Sequence, residues 1–123
     1  MKFSGHILIF GCGSVARCTI PLILKELNVK PNQLTVIDFV DNSSKIPAGI
    51  NYLIEEITPE NYKRILSAHL KKGDILLDLA WNISTLDLLF WCKEHGILYV
   101  NSATELWDFK KSTRIEEKTL YHR

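Results

Sequence analysis

The hydrophobic positions of this chain fall into short blocks separated by polar and glycine-containing stretches. Residues 7–10 (ILIF) form an unbroken apolar run, the pattern of a strand buried on both faces. Gly11-Cys12-Gly13 breaks the run, and Ser14 opens a helix whose apolar positions include Val15, Ile20, Leu22, Ile23 and Leu27. Pro21 is expected to bend that helix or tighten a turn in it. Residues 34–38 (LTVID) read as a second strand, β-branched in its middle and ending in an acid. The polar stretch 41–49 reads as a loop and 51–54 as a short third strand. Thr58-Pro59 supplies an N-cap and a proline for the first helical position, predicting a helix to about Lys72 that Gly73 ends. Residues 75–79 (ILLDL) predict a fourth strand. Ser84-Thr85-Leu86-Asp87 has the form of a capping box with Asp in place of Glu, and its helix should close at His95-Gly96. Residues 97–100 predict a fifth strand, and the polar remainder from about 104 to 123 a last helix.

Strands alternating with helices at this spacing predict an α/β fold with a parallel sheet and right-handed crossovers. A length of 123 residues fits one domain, and no repeat, linker or low-complexity tract divides it. Hydrophobic residues at 46% and charged residues at 24% place it among ordinary globular domains. A net charge of +1 sets up no field to gather nucleic acid or anionic lipid, so neither is expected as a partner. The run at 7–10 is too short to span a bilayer, and no cleavage-site pattern follows it, so no membrane segment or leader is expected. Cys12, Cys18 and Cys92 cannot all pair and lack metal-ligand spacing, which favours a reducing, cytoplasmic setting. His6, His69, His95 and His122 are scattered, and no Ser/His/Asp set or metal cluster appears.

The candidate chemistry lies in Gly11-Cys12-Gly13-Ser14-Val15-Ala16, which fits G-x-G-x-x-G/A. The pattern alone is weak; between a buried strand and a helix it is strong. Gly11 allows the tight turn, Gly13 leaves room for a diphosphate, and Ala16 lets helix and strand approach. The N–H groups of the first turn would face the diphosphate. Asp38 lies 22 residues after Ala16 at a strand end, where a carboxylate can accept both adenosine ribose hydroxyls. A 2′-phosphate would meet it as a like charge, and Phe39 rather than Arg follows, so NAD is favoured over NADP. Asp41 is the rival acid, displaced into the loop. The fold class is therefore a Rossmann-type parallel sheet of about five to six strands with helices on both faces. Ligands of such sheets sit beyond the carboxyl ends of the strands. That makes Ala80, Trp81 and Asn82 candidates after the fourth strand, and Asn101, Ser102, Ala103, Thr104 and Glu105 after the fifth. Trp81 suits either a cofactor wall or an interface with another domain, and Ser84 suits a helix cap better than a ligand. Cys12 is expected to be a small filler, and Cys18 and Cys92 packing residues. A methyltransferase fold shares the glycine loop and the acid, but the strand before Gly11 has no acid and the strand holding Asp78 lacks a proline-rich continuation.

Three segments carry a family likeness: 7–24 (ILIFGCGSVARCTIPLIL), 76–84 (LLDLAWNIS) and 96–107 (GILYVNSATELW). They resemble the N-terminal domain of bacterial homospermidine synthases, relatives of saccharopine dehydrogenase. The resemblance covers nearly the whole chain, and Thr19-Ile20-Pro21-Leu22 and Thr104-Glu105-Leu106-Trp107 are its more specific parts. Leu106 stands where the family often has proline, and Asn82 near where it often has an acid. The resemblance implies an enzyme that joins diamines such as putrescine and releases ammonia. In that family NAD takes a hydride from an amine carbon, an imine is exchanged between amines, and the hydride returns. It also implies that Asn82 and Glu105 face the substrate, Glu105 holding an ammonium group. Family enzymes are several times longer, so the chain is expected to be a cofactor-domain segment or a truncated homologue that senses NAD without turnover. Any homo-oligomer is expected to form through the family's second domain.

Overall fold

Four consecutive apolar side chains at residues 7–10 can all leave water only in the middle of a sheet covered on both faces, and β1 (Ile7–Phe10) takes that central place. The structure is a computed structural model that describes residues 3–80 and 83–101. Along the chain follow α1 (Ser14–Glu26), β2 (Leu34–Asp38), β3 (Asn51–Ile54), α2 (Tyr62–His69), β4 (Ile75–Asp78), α3 (Thr85–His95) and β5 (Leu98–Asn101). Short 3-10 turns occupy Pro31–Gln33 and Ser43–Lys45. The five strands form one parallel sheet in the order β3-β2-β1-β4-β5.

Strand alternation splits the interior in two. Ile7 and Ile9 point into a core with Ala16 and Ile20 of α1 and with Leu34, Val36 and Leu77. Leu8 and Phe10 point the other way, against Ile65 and Leu66 of α2 and Leu88, Trp91 and Cys92 of α3. Helices thus cover both faces, and the architecture is a Rossmann-type α/β fold. After β1 the chain turns to β2 on one side and only later fills β4 on the other. The carboxyl ends of β1 and β4 therefore flank a switch point, the place where such sheets open a ligand crevice. Among the described residues no helix is long and apolar enough to cross a membrane.

Several boundaries differ from the sequence expectations. α1 runs on through Pro21, which sits on the exposed side, where losing one N–H and crowding one carbonyl is tolerated next to solvent. Of the apolar positions of α1, Val15 and Leu22 are exposed, and Ala16 and Ile20 carry the buried stripe. α2 starts at Tyr62 because Thr58 and Asn61 first close a separate turn: Asn61 Oδ1 accepts the Thr58 N–H at 2.8 Å and Thr58 Oγ1 accepts the Asn61 N–H at 3.3 Å. It ends at His69, three residues before Lys72. β5 runs one residue late, which puts Asn101 inside the strand opposite Asp78. Cys18 is exposed rather than packed, whereas Cys12 and Cys92 are buried. The helix expected over 104–123 lies outside the described residues.

Candidate functional site

β1 hands over to α1 at the switch point, and the backbone there is held from both sides. The Gly11 N–H donates to the Ile37 carbonyl at 2.9 Å, and the Leu79 N–H to the Phe10 carbonyl at 2.9 Å. Gly11 has φ +93°, and a Cβ built on it would lie 2.9 Å from the Ala80 Cα. Both the backbone conformation and the neighbouring strand end demand glycine here. Gly13 is different. Its φ of −89° suits any residue, and a Cβ on it would meet nothing within 4 Å. Neither folding demand applies at Gly13, and the space its hydrogen leaves lies at the N-terminus of α1. That helix start has no side-chain cap and no acid in its first turn, so its unpaired N–H groups present positive charge. Ser14 and Val15 are exposed there, and Ala16 is fully buried, bringing α1 close to β1.

Asp38 closes the other side of the loop. Its Oδ2 accepts the Cys12 N–H at 2.6 Å, and its Oδ1 accepts the Val40 N–H at 3.3 Å. The acid ending β2 thus touches the glycine loop 26 residues away. Asn42 Nδ2 donates to the Cys12 carbonyl at 3.1 Å, and the Asn42 N–H donates to the Tyr52 hydroxyl at 3.1 Å. Asp41, the rival acid, is instead an exposed turn former. Its Oδ1 accepts from both the N–H and the hydroxyl of Ser43, which holds its carboxyl below the usual range. Burial pushes the Cys12 thiol upward, so it stays protonated despite its place in the loop.

At the β4 and β5 ends the expected residues are only partly in view. Ala80 backs Gly11, and its N–H donates to Asp78 Oδ1 at 3.3 Å. The Asn101 amide donates to Thr85 Oγ1 at 3.4 Å. Ser84 caps α3, its Oγ accepting the Asp87 N–H at 3.2 Å. Trp81, Asn82, Ser102, Ala103, Thr104 and Glu105 lie outside the described residues. A groove of about 770 Å³ opens at the opposite end of the sheet, lined by His6, Thr35, Asn51 and His69 among others. Several of its polar groups bond to one another: His6 Nε2 with Thr35 Oγ1 at 2.7 Å, and Asp74 with the N–H groups of His6 and Lys71. It is far from the glycine loop in the topology, and its polar groups brace the strand starts.

A sequence model of the family described as "Saccharopine dehydrogenase NADP binding domain" matches residues 7–123. The chain belongs to this family. Homospermidine synthases of Mesorhizobium japonicum and Blastochloris viridis are each 30% identical to it over 111 residues, spanning 86% of this chain and 23% of theirs. Among solved structures, the homospermidine synthase of Legionella pneumophila in complex with NAD superposes with a TM-score of 0.80. It is 32% identical, and the match covers 98% of this chain and 27% of that one. The chain therefore spans about a quarter of the length of the relatives it matches. The family description names NADP, whereas the Legionella enzyme holds NAD.

Within this saccharopine dehydrogenase-type domain, two groups escaped the sequence reading. Asn42 is one polar residue in a polar loop and Tyr52 one aromatic in a strand, so neither gives a local signal. Asp78 is buried at the end of β4 and accepts the Tyr99 hydroxyl at 2.8 Å. Only the β4–β5 pairing brings those two together.

Proposed function

We propose that this chain is the NAD-binding domain of a homospermidine synthase-like enzyme, which joins diamines such as putrescine with NAD as a recycled redox partner. The observation that carries the reading is the open space over Gly13, where neither a positive φ nor a crowded neighbour requires glycine and which a diphosphate would fill. In this reading Gly11 shapes the turn, and the first-turn N–H groups of Ser14, Val15 and Ala16 hold the diphosphate. The Asp38 carboxylate, already aimed by the Cys12 N–H, accepts the adenosine ribose hydroxyls. A 2′-phosphate would bring negative charge against that carboxylate, and the residues beside it, Phe39 and Val40, offer no cation. NAD is thus the preferred cofactor, like that of the Legionella enzyme and unlike the family description.

Ala80, Trp81, Asn101 and Thr104 are proposed for the second ribose and the nicotinamide, and Asn82 and Glu105 for the amine substrate. Bound NAD supplies hydride removal and return at an amine carbon; the chain's own residues bind it, orient it and present Glu105 to an ammonium group. Free thiols at all three cysteines fit a reducing cytoplasmic setting. Calorimetric titration with NAD and NADP tests the cofactor assignment. Tighter binding of NAD is expected, and equal or tighter binding of NADP overturns it.

A further inference from the structure

The loop after β2 is tied to the glycine loop by more than Asp38. Asn42 Nδ2 holds the Cys12 carbonyl, and the Asn42 N–H donates to the Tyr52 hydroxyl. That hydroxyl in turn donates to the Val40 carbonyl. Tyr52 stands on β3 in register with Val36 and packs its ring against the α1-side core, so the hydroxyl is fixed in place. Both backbone polar groups of Cys12 are therefore engaged: the N–H by Asp38 and the carbonyl by Asn42.

We propose that Tyr52 and Asn42 are positioning residues of the dinucleotide site, clamping the 38–43 turn onto Cys12 so that the ribose acid and the glycine loop form one pre-set unit. The inference rests on the reading of that loop and Asp38 as the NAD site. Phe39, Val40 and Asp41 are solvent-exposed and share no core with the sheet. Without the clamp this turn is loosely held, and ordering it falls on the binding step, at a cost in affinity. Tyr52 and Asn42 touch the loop backbone rather than the ligand, so their effect on binding passes through Asp38.

The test is calorimetric NAD titration of the chain and of Tyr52→Phe and Asn42→Ala, each also made in an Asp38→Ala background. Tyr52→Phe keeps the ring and removes only the hydroxyl, and circular dichroism checks that each variant folds. Each single variant is expected to weaken NAD about five- to tenfold, the size of one lost hydrogen bond. Combined with Asp38→Ala, each should add less than about a twofold further loss, because residues acting through one group are not additive. Hydrogen exchange should quicken at the Cys12 and Asn42 amides of Tyr52→Phe and stay unchanged at Leu8 and Val36. Undiminished NAD binding by both variants overturns the clamp, and so does a full, additive loss in the Asp38→Ala background. A parent chain that fails to bind NAD overturns the site reading itself, and the clamp with it.

Discussion

Gly11 and Gly13 stand two residues apart and meet different physical demands. Gly11 sits at φ +93° against the Ala80 backbone, whereas Gly13 has an ordinary φ and open space. Gly11→Val is therefore expected to destabilise the fold, by about 1–3 kcal/mol from backbone strain alone, with the overlap on Ala80 adding to it. Gly13→Val should fold, losing about 1 kcal/mol at most for an unfavourable N-cap residue, yet bind no NAD. Urea unfolding and fluorescence titration separate the two outcomes, and a folded Gly13→Val that binds NAD normally would falsify the assignment of this loop. Asp38→Ala removes a charged acceptor from the ribose and should weaken NAD by about 1–3 kcal/mol. The same change should narrow the gap between NAD and NADP, since the like charge against a 2′-phosphate is gone.

Among the elements, α3 is the one whose ends were most plainly written. Ser84 caps its first turn, and Gly96 closes it in the left-handed conformation at φ 72° with its N–H on the Cys92 carbonyl. Ser84 is also nearly buried, so losing its hydroxyl strands an N–H that water reaches poorly. Ser84→Ala should cost about 1 kcal/mol, seen as a lower urea midpoint with an unchanged slope. An unshifted midpoint would mean that the cap contributes nothing. α2 shows the opposite case. Its proline at 59 suited a helix start, but the reciprocal Thr58–Asn61 bonds satisfy the same orphan groups in a turn and delay the helix to Tyr62.

For the molecule as a whole, pH acts at the α2/α3-side core and at the polar groove by the strand starts. Burial, with Asp78 nearby, pushes the Cys92 thiol from its usual 9.0 up to about 12. Tyr99 is raised in the same direction by burial first and then by Asp78, to which its hydroxyl donates. The folded state keeps protons that the unfolded chain releases above about pH 9, so this stability is complete below that pH and falls as pH rises toward about 12. On the acid side burial lowers the His6 imidazole below 6.5, with His69 adding to the shift and Asp74 opposing it. There the unfolded chain binds a proton that the folded state refuses, so stability present above pH 6.5 declines as pH falls through the lowered value. Denaturant midpoints across pH should show a plateau between the two limbs, and Cys92→Ala should flatten the start of the alkaline limb. An alkaline limb unchanged in that variant would assign it to other groups. Turnover belongs to this scale too. The chain with NAD and labelled putrescine is expected to make no homospermidine, because one Rossmann wall binds the cofactor but does not place an amine carbon against it. Detection of the product would show that this domain is catalytically sufficient.

The strands, the place of the glycine turn between β1 and α1 and that of Asp38 at the end of β2 were legible in the sequence because each depends on short-range requirements. A strand buried on both faces needs an unbroken apolar run, and the loop needs small residues at fixed intervals before a helix. Asp38 followed from its distance along the chain to a strand end. Periodicity also marked α1, but it could not tell that Val15 and Leu22 face solvent, since apolar positions on a helix do not reveal how much of its surface a sheet covers. The order β3-β2-β1-β4-β5 and its register were decided only by the tertiary structure. So were the contacts that depend on them: Asp38 on Cys12, Asn42 and Tyr52 over the glycine loop, and Tyr99 on Asp78. A side-chain hydrogen bond between strands is set by which residues pairing brings within about 3 Å, and that information does not lie in any local pattern.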